Sequence, residues 1–343
     1  MTAAQTLSAL LRSSTSGRVA DVFTRLVRPR HGSLLVLTYH RVDARGSDDT
    51  LYDGLISASP EDFQSQMRWL ARRYAVVSID DVLATRRRAK PLPVGAVLLT
   101  FDDAYQDFAE HAWPVMRRLG VPATLFVPTG YPDAQGRSFW WDRLWAALAH
   151  ADQWPARLGV GERVVHAGDS RHEMFRRIVG VLKTLPHREM LAECDRLVTQ
   201  AAYHSPARNP VLSWSDIRTL VAEGVAIAPH SRTHPRLDRV ELEALDAEVA
   251  GSVADLEARV GDFAPVFAYP DGAWSTAVVS AVVEAGLEMA FTTRRGGNVL
   301  GKDTRWYELR RINVGRRTNV NALAAQLALW SRQLVFPAGL SLP

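Results

Sequence analysis

Apolar and polar positions along this chain fall into two alternating rhythms. Short apolar or β-branched runs occupy residues 34–39, 74–79, 96–101, 123–127, 225–228, 266–269 and 289–293, with the length and composition of buried strands. Between them, residues 60–72, 105–119, 213–223, 242–260 and 276–285 repeat apolar positions at the helical period. Gly120, Gly224 and Gly286 each close a helical pattern just before a strand, where helices commonly stop. Buried strands alternating with helices pair in parallel through right-handed crossovers, so the expected class is α/β.

Residues 131–211 break this rhythm. Trp140, Trp141 and Trp145 stand near the start of the segment and a long helical pattern runs over 173–203, which predicts a helical insertion. After Asn319, the spacing of Val320, Leu323, Ala324, Leu327, Leu329 and Trp330 predicts a terminal helix with a short Pro-containing tail. The expected organisation is an N-terminal helical extension at 1–33, one α/β domain at 34–318 carrying the insertion, and a C-terminal helix and tail at 319–343. No internal repeat or low-complexity tract stands out.

Composition narrows the function classes. Hydrophobic residues make up 47% of the 343 residues and charged residues 23%, enough apolar material for a large core. The 41 basic residues are interspersed with 37 acidic ones for a net charge of +4, which is no nucleic-acid footprint. The single cysteine, Cys194, sits in a helical pattern and reads as a small buried hydrophobe. Without the continuous apolar core of a signal peptide, the expected location is cytoplasmic. Residues 7–28 set Leu7, Leu10, Leu11, Val22, Phe23, Leu26 and Val27 among Arg12, Arg18, Arg25 and Arg28. That pattern reads as a packing or capping helix, with contact at the inner face of a membrane as the alternative.

Candidate chemistry lies where strands are expected to end. The run at 96–101 is followed by Asp102 and Asp103; two acids at a strand's C-terminal end can divide metal ligation and proton transfer between them. Helix capping is the competing role. The segment PHSRTHPRL at 229–237 spaces His230 and His234 four apart, suitable for one ion, and Pro235 favours a tight loop there over a regular helix. A pair of surface histidines is the plain alternative. The segment FAYPDG at 267–272 also follows a strand pattern. In parallel α/β barrels such ends share one face, and one Asp with two His forms a metal-ligand set that leaves positions open for water and substrate.

Five ordered motifs now resemble one family: TYHRV at 38–42, LLTFDDAYQDF at 98–108, HSRTHPRL at 230–237, FAYPDG at 267–272 and AFTTR at 290–294. Over roughly residues 34–315 the chain resembles the polysaccharide deacetylases of carbohydrate esterase family 4, in the branch with an FAYP motif and an N-terminal Tyr-His element. The resemblance implies a distorted (β/α)7-type barrel and a metal-dependent hydrolysis of N-acetyl groups from the amino sugars of a polysaccharide, such as an exopolysaccharide or adhesin. It assigns Asp103, His230 and His234 to zinc or another divalent transition metal, Asp102 to the catalytic base and a backbone N–H near Asp271 to the oxyanion.

Metal-activated water is the expected nucleophile. No histidine follows His234, so the family's usual C-terminal acid is missing, and Tyr39-His40 resembles the alternative element, making His40 the candidate acid. Arg310, Arg311 or bound water stand behind it. Tyr105 and Trp141, with Trp140 and Trp274, are candidates to stack on sugar. Three positions depart from the family: Ala104 for a glycine, Pro229 for a small polar residue, and Ala268 for an arginine that pairs with the base. The last departure requires another partner for Asp102. A glycan-binding pseudoenzyme, or an amidohydrolase acting on a non-glycan amide, are the competing functions.

Overall fold

Residue 34 onward is apolar on both faces of the strand, and the chain accordingly forms a strand buried on both sides. The computed structural model describes residues 31–44, 50–150, 154–166, 170–203 and 210–331. The basic pattern at 7–28 and the Pro-containing tail lie outside the described residues. In order, the elements are β1 (Ser33–Tyr39), β2 (Arg41–Val42), β3 (Ile56–Ala58), α1 (Pro60–Arg73), β4 (Ala75–Val77), α2 (Ile79–Arg86) and β5 (Ala96–Phe101). Next come α3 (Trp113–Leu119), β6 (Thr124–Val127), α4 (Trp140–His150), β7 (Arg157–Val160), β8 (Arg163–His166), α5 (Arg171–Leu182), α6 (His187–Gln200) and α7 (Trp214–Ala222). The remainder is β9 (Ala226–Pro229), α8 (Leu242–Arg259), β10 (Val266–Ala268), α9 (Thr276–Glu284), β11 (Met289–Phe291), β12 (Asn298–Val299), β13 (Ile312–Asn313) and α10 (Val320–Ser331).

The parallel strands form a distorted barrel. β1 and β5 pair over six residues, from Leu34 opposite Ala96 to Tyr39 opposite Phe101. β5 passes to β6 and β6 to β9, all parallel. A separate parallel pair, β10 and β11, is linked to this sheet by two sparse seams. At one seam, Ala264 N donates to Ile227 O at 2.8 Å. At the other, β11 meets Leu309 in an isolated bridge just ahead of β13, which returns to β1. Side chains alternate along each strand, as the period of two requires. Leu34, Val36, Ala96, Leu98, Phe126, Ala228, Val266 and Ala268 fill one interior cluster, whereas Leu35, Leu37, Tyr39, Val97, Leu99 and Phe101 face the helices.

The expected strands all form, and the differences are local. The run at 74–79 yields only Ala75–Val77, because Ser78 and Asp81 make a reciprocal capping box that starts α2 at Ile79. The pattern at 105–119 opens with a π-helical turn, Phe108–Ala112, before α3. Pro186 divides the long pattern at 173–203 into α5 and α6, since it cannot continue the preceding helix. The insertion also contains the hairpin β7–β8, which the helical reading missed. Cys194 is buried against Trp140 O, and burial pushes its thiol up to about 12. Among the described residues, no helix is long and apolar enough to cross a membrane.

A buried carboxylate holds the insertion to the barrel. Asp142 on α4 accepts from Tyr52 N at 2.7 Å and from the Tyr105 hydroxyl at 2.8 Å, and that hydroxyl accepts from Trp141 Nε1 at 3.0 Å. Burial pushes the Asp142 carboxyl up to about 7 from 3.8, against the lowering effect of these donors and of Arg41. Between those values the folded state holds a proton that the unfolded chain has released, so this group's contribution to stability declines as pH rises through that window. Thermal unfolding of wild type and Asp142→Asn across pH 4–8 is therefore expected to shift in the variant's favour as pH increases. A stability difference that is flat with pH contradicts this.

Candidate metal and catalytic centre

Continuing the interior face of the strands by one more step places the reactive side chains. Thr38 leads to His40, Thr100 to Asp102 and Ala228 to His230, and His40, Asp102 and His230 all line one open cavity of about 380 Å³. Thr38 and Thr100 face each other below it, their hydroxyls 3.3 Å apart. Asp103, one residue out of that phase, reaches the same cavity because the chain turns sharply: Asp103 and Ala104 take φ of 71° and 51°. The left-handed turn at Ala104 is where the family's glycine would sit without strain.

Asp103, His230 and His234 converge, with one ligand atom from each lying within 4.8 Å of the others. His234 Nε2 is 3.1 Å and His230 Nε2 3.6 Å from Asp103 Oδ1. That oxygen is nevertheless buried without a hydrogen-bond partner, a costly state unless a cation takes its lone pairs. His230 Nδ1 lies 2.7 Å from Ala268 O, which fixes the proton on Nδ1 and leaves Nε2 free to ligate. Burial pushes His230 down to about 4, and the neighbouring carboxylates only partly oppose this. Burial acts most strongly on His234, to lower it, but the charge and close approach of Asp103 together with the charge of Asp271 outweigh it and hold that histidine above its ordinary value. The residues thus fit a divalent ion: two imidazoles and one carboxylate with an orphaned buried oxygen.

Asp102 is 3% exposed, and both its oxygens are taken by Arg311, itself 1% exposed, at 2.8 and 2.7 Å. Arg311 Nε is anchored on Thr292 O at 2.9 Å. Burial acts to raise the Asp102 carboxyl, yet Arg311 and His230 overcome it and hold the group below the usual carboxylate range. Arg311 is thus the partner that Ala268 cannot supply. It is correspondingly removed from the candidate acids, because a guanidinium locked on a carboxylate keeps its proton.

The substrate candidates separate. Trp141, 9% exposed, lines the cavity; its ring stacks on Phe139 with centroids 4.4 Å apart and meets His234 edge-on at 4.9 Å. Trp140 also lines it, and Asp271 lies at the mouth with Oδ1 2.6 Å from Lys183 Nζ. Tyr105 does not belong to this set. It is 1% exposed and its hydroxyl is engaged by Asp142 and Trp141, so it supports Trp141 from behind and cannot stack on a sugar. Trp274 packs with the α8–α9 cluster. Tyr52, Phe175, Val179 and Lys183 join the lining, the last three from the insertion. Sequence reading placed Arg311 only among the fallback acids and missed its pairing with Asp102, and it missed Lys183 altogether. Arg311 adjoins a two-residue strand, too short to show periodicity, and Lys183 follows the end of α5 with no motif around it.

The sequence profile of the polysaccharide deacetylase family matches residues 89–290, more than half of the chain. The chain belongs to the polysaccharide deacetylase family. Among curated relatives, a poly-beta-1,6-N-acetyl-D-glucosamine N-deacetylase of Escherichia coli is 34% identical over 101 residues, 29% of this chain and 14% of that protein. The Staphylococcus aureus protein of that name is 30% identical over 122 residues, 32% of this chain and 41% of the other. The matched stretches therefore span less than half of either relative. Of solved structures, a Streptococcus pyogenes deacetylase in complex with acetate aligns over 87% of this chain and 99% of its own, with a TM-score of 0.59 at 16% identity. A de-N-acetylase from Aggregatibacter actinomycetemcomitans aligns over 86% of this chain and 99% of its own, with a TM-score of 0.57 at 16% identity. At such identities the likeness is one of fold.

Removing one partner of a buried ion pair leaves an uncompensated charge, at a cost of about 3–5 kcal/mol. Arg311→Met in this deacetylase-family chain is expected to lose about that much in denaturant unfolding, and adding Asp102→Asn should restore part of the loss. Strictly additive losses in the double variant would show that the pair is not coupled.

Proposed function

We propose that the protein is a metal-dependent N-deacetylase acting on amino sugars of a polysaccharide, an exopolysaccharide of the N-acetylglucosamine class named for its curated relatives. The observation that carries this reading is the pairing of two differently tuned carboxylates on one rim. Asp103 presents an orphaned oxygen between two imidazoles, while Asp102 beside it is held ionised by Arg311. Asp103, His230 and His234 hold the ion, which we take to be zinc.

When bound, the ion supplies a Lewis acid that polarises the acetamide oxygen and acidifies water. Asp102 accepts the proton of the attacking water; Arg311 fixes the plane of the carboxylate and remains charged throughout. His40, on the same interior face two residues beyond Thr38 and lining the same cavity, donates a proton to the departing amine nitrogen. A backbone N–H near Asp271 donates to the developing oxyanion. Trp141 offers an aromatic face to the sugar ring.

The test is acetate release from N-acetylglucosamine oligomers by metal-loaded protein. Asp102→Asn and His40→Ala are each expected to retain zinc and to lose about a hundredfold or more in turnover. The triple alanine variant of Asp103, His230 and His234 is expected to lose the ion. Near-normal turnover in His40→Ala would remove it as the acid, and undiminished zinc in the triple variant would sink the ligand assignment. Oligomer binding without acetate release would mark a glycan-binding protein instead.

A further inference from the structure

The two histidines of the candidate metal centre sit at the ends of a loop that has little means of holding its own shape. Ser231 and His234 both adopt left-handed backbone conformations, with φ of 61° and 58°, a state that costs a non-glycine residue about 1–2 kcal/mol. Within the loop, the one hydrogen bond spanning it runs from His234 N to Ser231 Oγ at 3.1 Å. Everything else that restrains the segment comes from outside. The β6 end donates Thr129 N to Ser231 O at 3.0 Å and Gly130 N to Arg232 O at 2.9 Å. A Cβ on Gly130 would lie 2.9 Å from Arg232 O, so only glycine permits this approach.

On the opposite side, one carboxylate of α8 takes the amides of Arg232 and Thr233 and the Thr233 hydroxyl. Glu248 Oε2 accepts from Arg232 N at 3.0 Å and Thr233 N at 2.8 Å, and Glu248 Oε1 accepts from the Thr233 hydroxyl. Farther along the same helix, Asp255 grips the Arg232 guanidinium at 2.8 and 2.7 Å and also accepts from Thr129 Oγ1 at 2.7 Å. The two consecutive amides at the centre of the loop are therefore satisfied by a single side chain from another element. Charge-assisted bonds of this kind are among the stronger ones available to a backbone.

We infer that Glu248 is a positioning residue of the metal centre: by accepting from Arg232 N, Thr233 N and the Thr233 hydroxyl, it sets the separation and orientation of His230 and His234. The inference rests on the proposed metal site and adds to it a residue that touches neither ion nor substrate. Loss of the carboxylate leaves two amides without acceptors and lets the left-handed residues relax, so the histidines no longer converge on Asp103. Outer residues that orient ligands in this way commonly affect metal affinity by about 10–100-fold.

Zinc affinity of the full chain, measured by competition against a chromophoric chelator, tests this directly. Glu248→Ala is expected to weaken zinc by about 10–100-fold, and turnover should recover at saturating zinc. Glu248→Gln keeps the length and an acceptor for the two amides, with the Thr233 hydroxyl rotating to accept from its NH2, and is expected to stay close to wild type. Glu248→Asp keeps the charge but falls one methylene short and should weaken zinc almost as much as alanine. Asp246→Ala, an exposed acid on the same helix, controls for net charge and should leave affinity unchanged. If Glu248→Ala does not fold, the Gln and Asp variants carry the test: an affinity kept by Asp and lost by Gln overturns the inference. So does a folded Glu248→Ala that binds zinc as tightly as wild type, or a loss that Asp246→Ala matches. A wild type that binds no zinc overturns the metal-site reading and this inference with it.

Discussion

Two carboxylates on consecutive residues, both shielded from water, cannot stay ionised side by side unless each has its own compensating charge. The rim of this barrel is organised around that constraint. Asp102 has Arg311, bound through two parallel hydrogen bonds, and Asp103 has the histidine pair and the capacity for an ion. The two acids diverge in chemistry because their partners differ. One has both oxygens occupied by a permanent cation, and the other keeps a buried oxygen that faces two imidazoles without a well-formed hydrogen bond. Interchanging their surroundings would interchange the roles open to them.

The scaffold achieves this with little more than the period of a strand. Apolar residues that fill the interior below become Thr38 and Thr100 near the top, and the next residue in phase is His40 or Asp102. Reactive groups thus emerge from the same face that supplies the core, directly above packed side chains that cannot yield. The insertion contributes in a different way. Its aromatic and aliphatic residues form a side wall, and the chain of contacts from Asp142 through Tyr105 to Trp141 fixes one ring of that wall against His234.

The sequence made some of this legible and hid the rest for physical reasons. Strand runs of four to six residues with glycine stops after the helices announced the α/β alternation, and Gly120 does end α3 in a left-handed conformation with φ of 63°. Asp102, Asp103 and His230 could be found because they directly follow strand ends, and His234 because it shares one short motif with His230. Arg311 lies 209 positions from Asp102, and no local pattern reports a long-range ion pair. Tyr105 was misread because an aromatic two residues beyond a pair of acids at a strand end looks like a stacking platform; only burial and its two hydrogen-bond partners show that its face is closed. Hairpin β7–β8 escaped notice because its strands carry exposed residues and charged ends that resemble a loop.

The central pair β1–β5 changes neighbours half-way along both of its edges. On β5, β4 lies beside Ala96 to Leu98 while β6 takes over at Thr100 and Phe101. On β1, β12 meets Ser33 and Leu34 while β13 meets Leu37 and Thr38. The lower and upper storeys of the barrel consequently have different walls. Rebuilding the upper storey, whether by a longer loop, a new insertion or a relocated arginine, leaves the lower pairings of β4 with β5 and of β12 with β1 in place. An architecture divided in this way can exchange its recognition apparatus wholesale while the foundation that folds it stays the same.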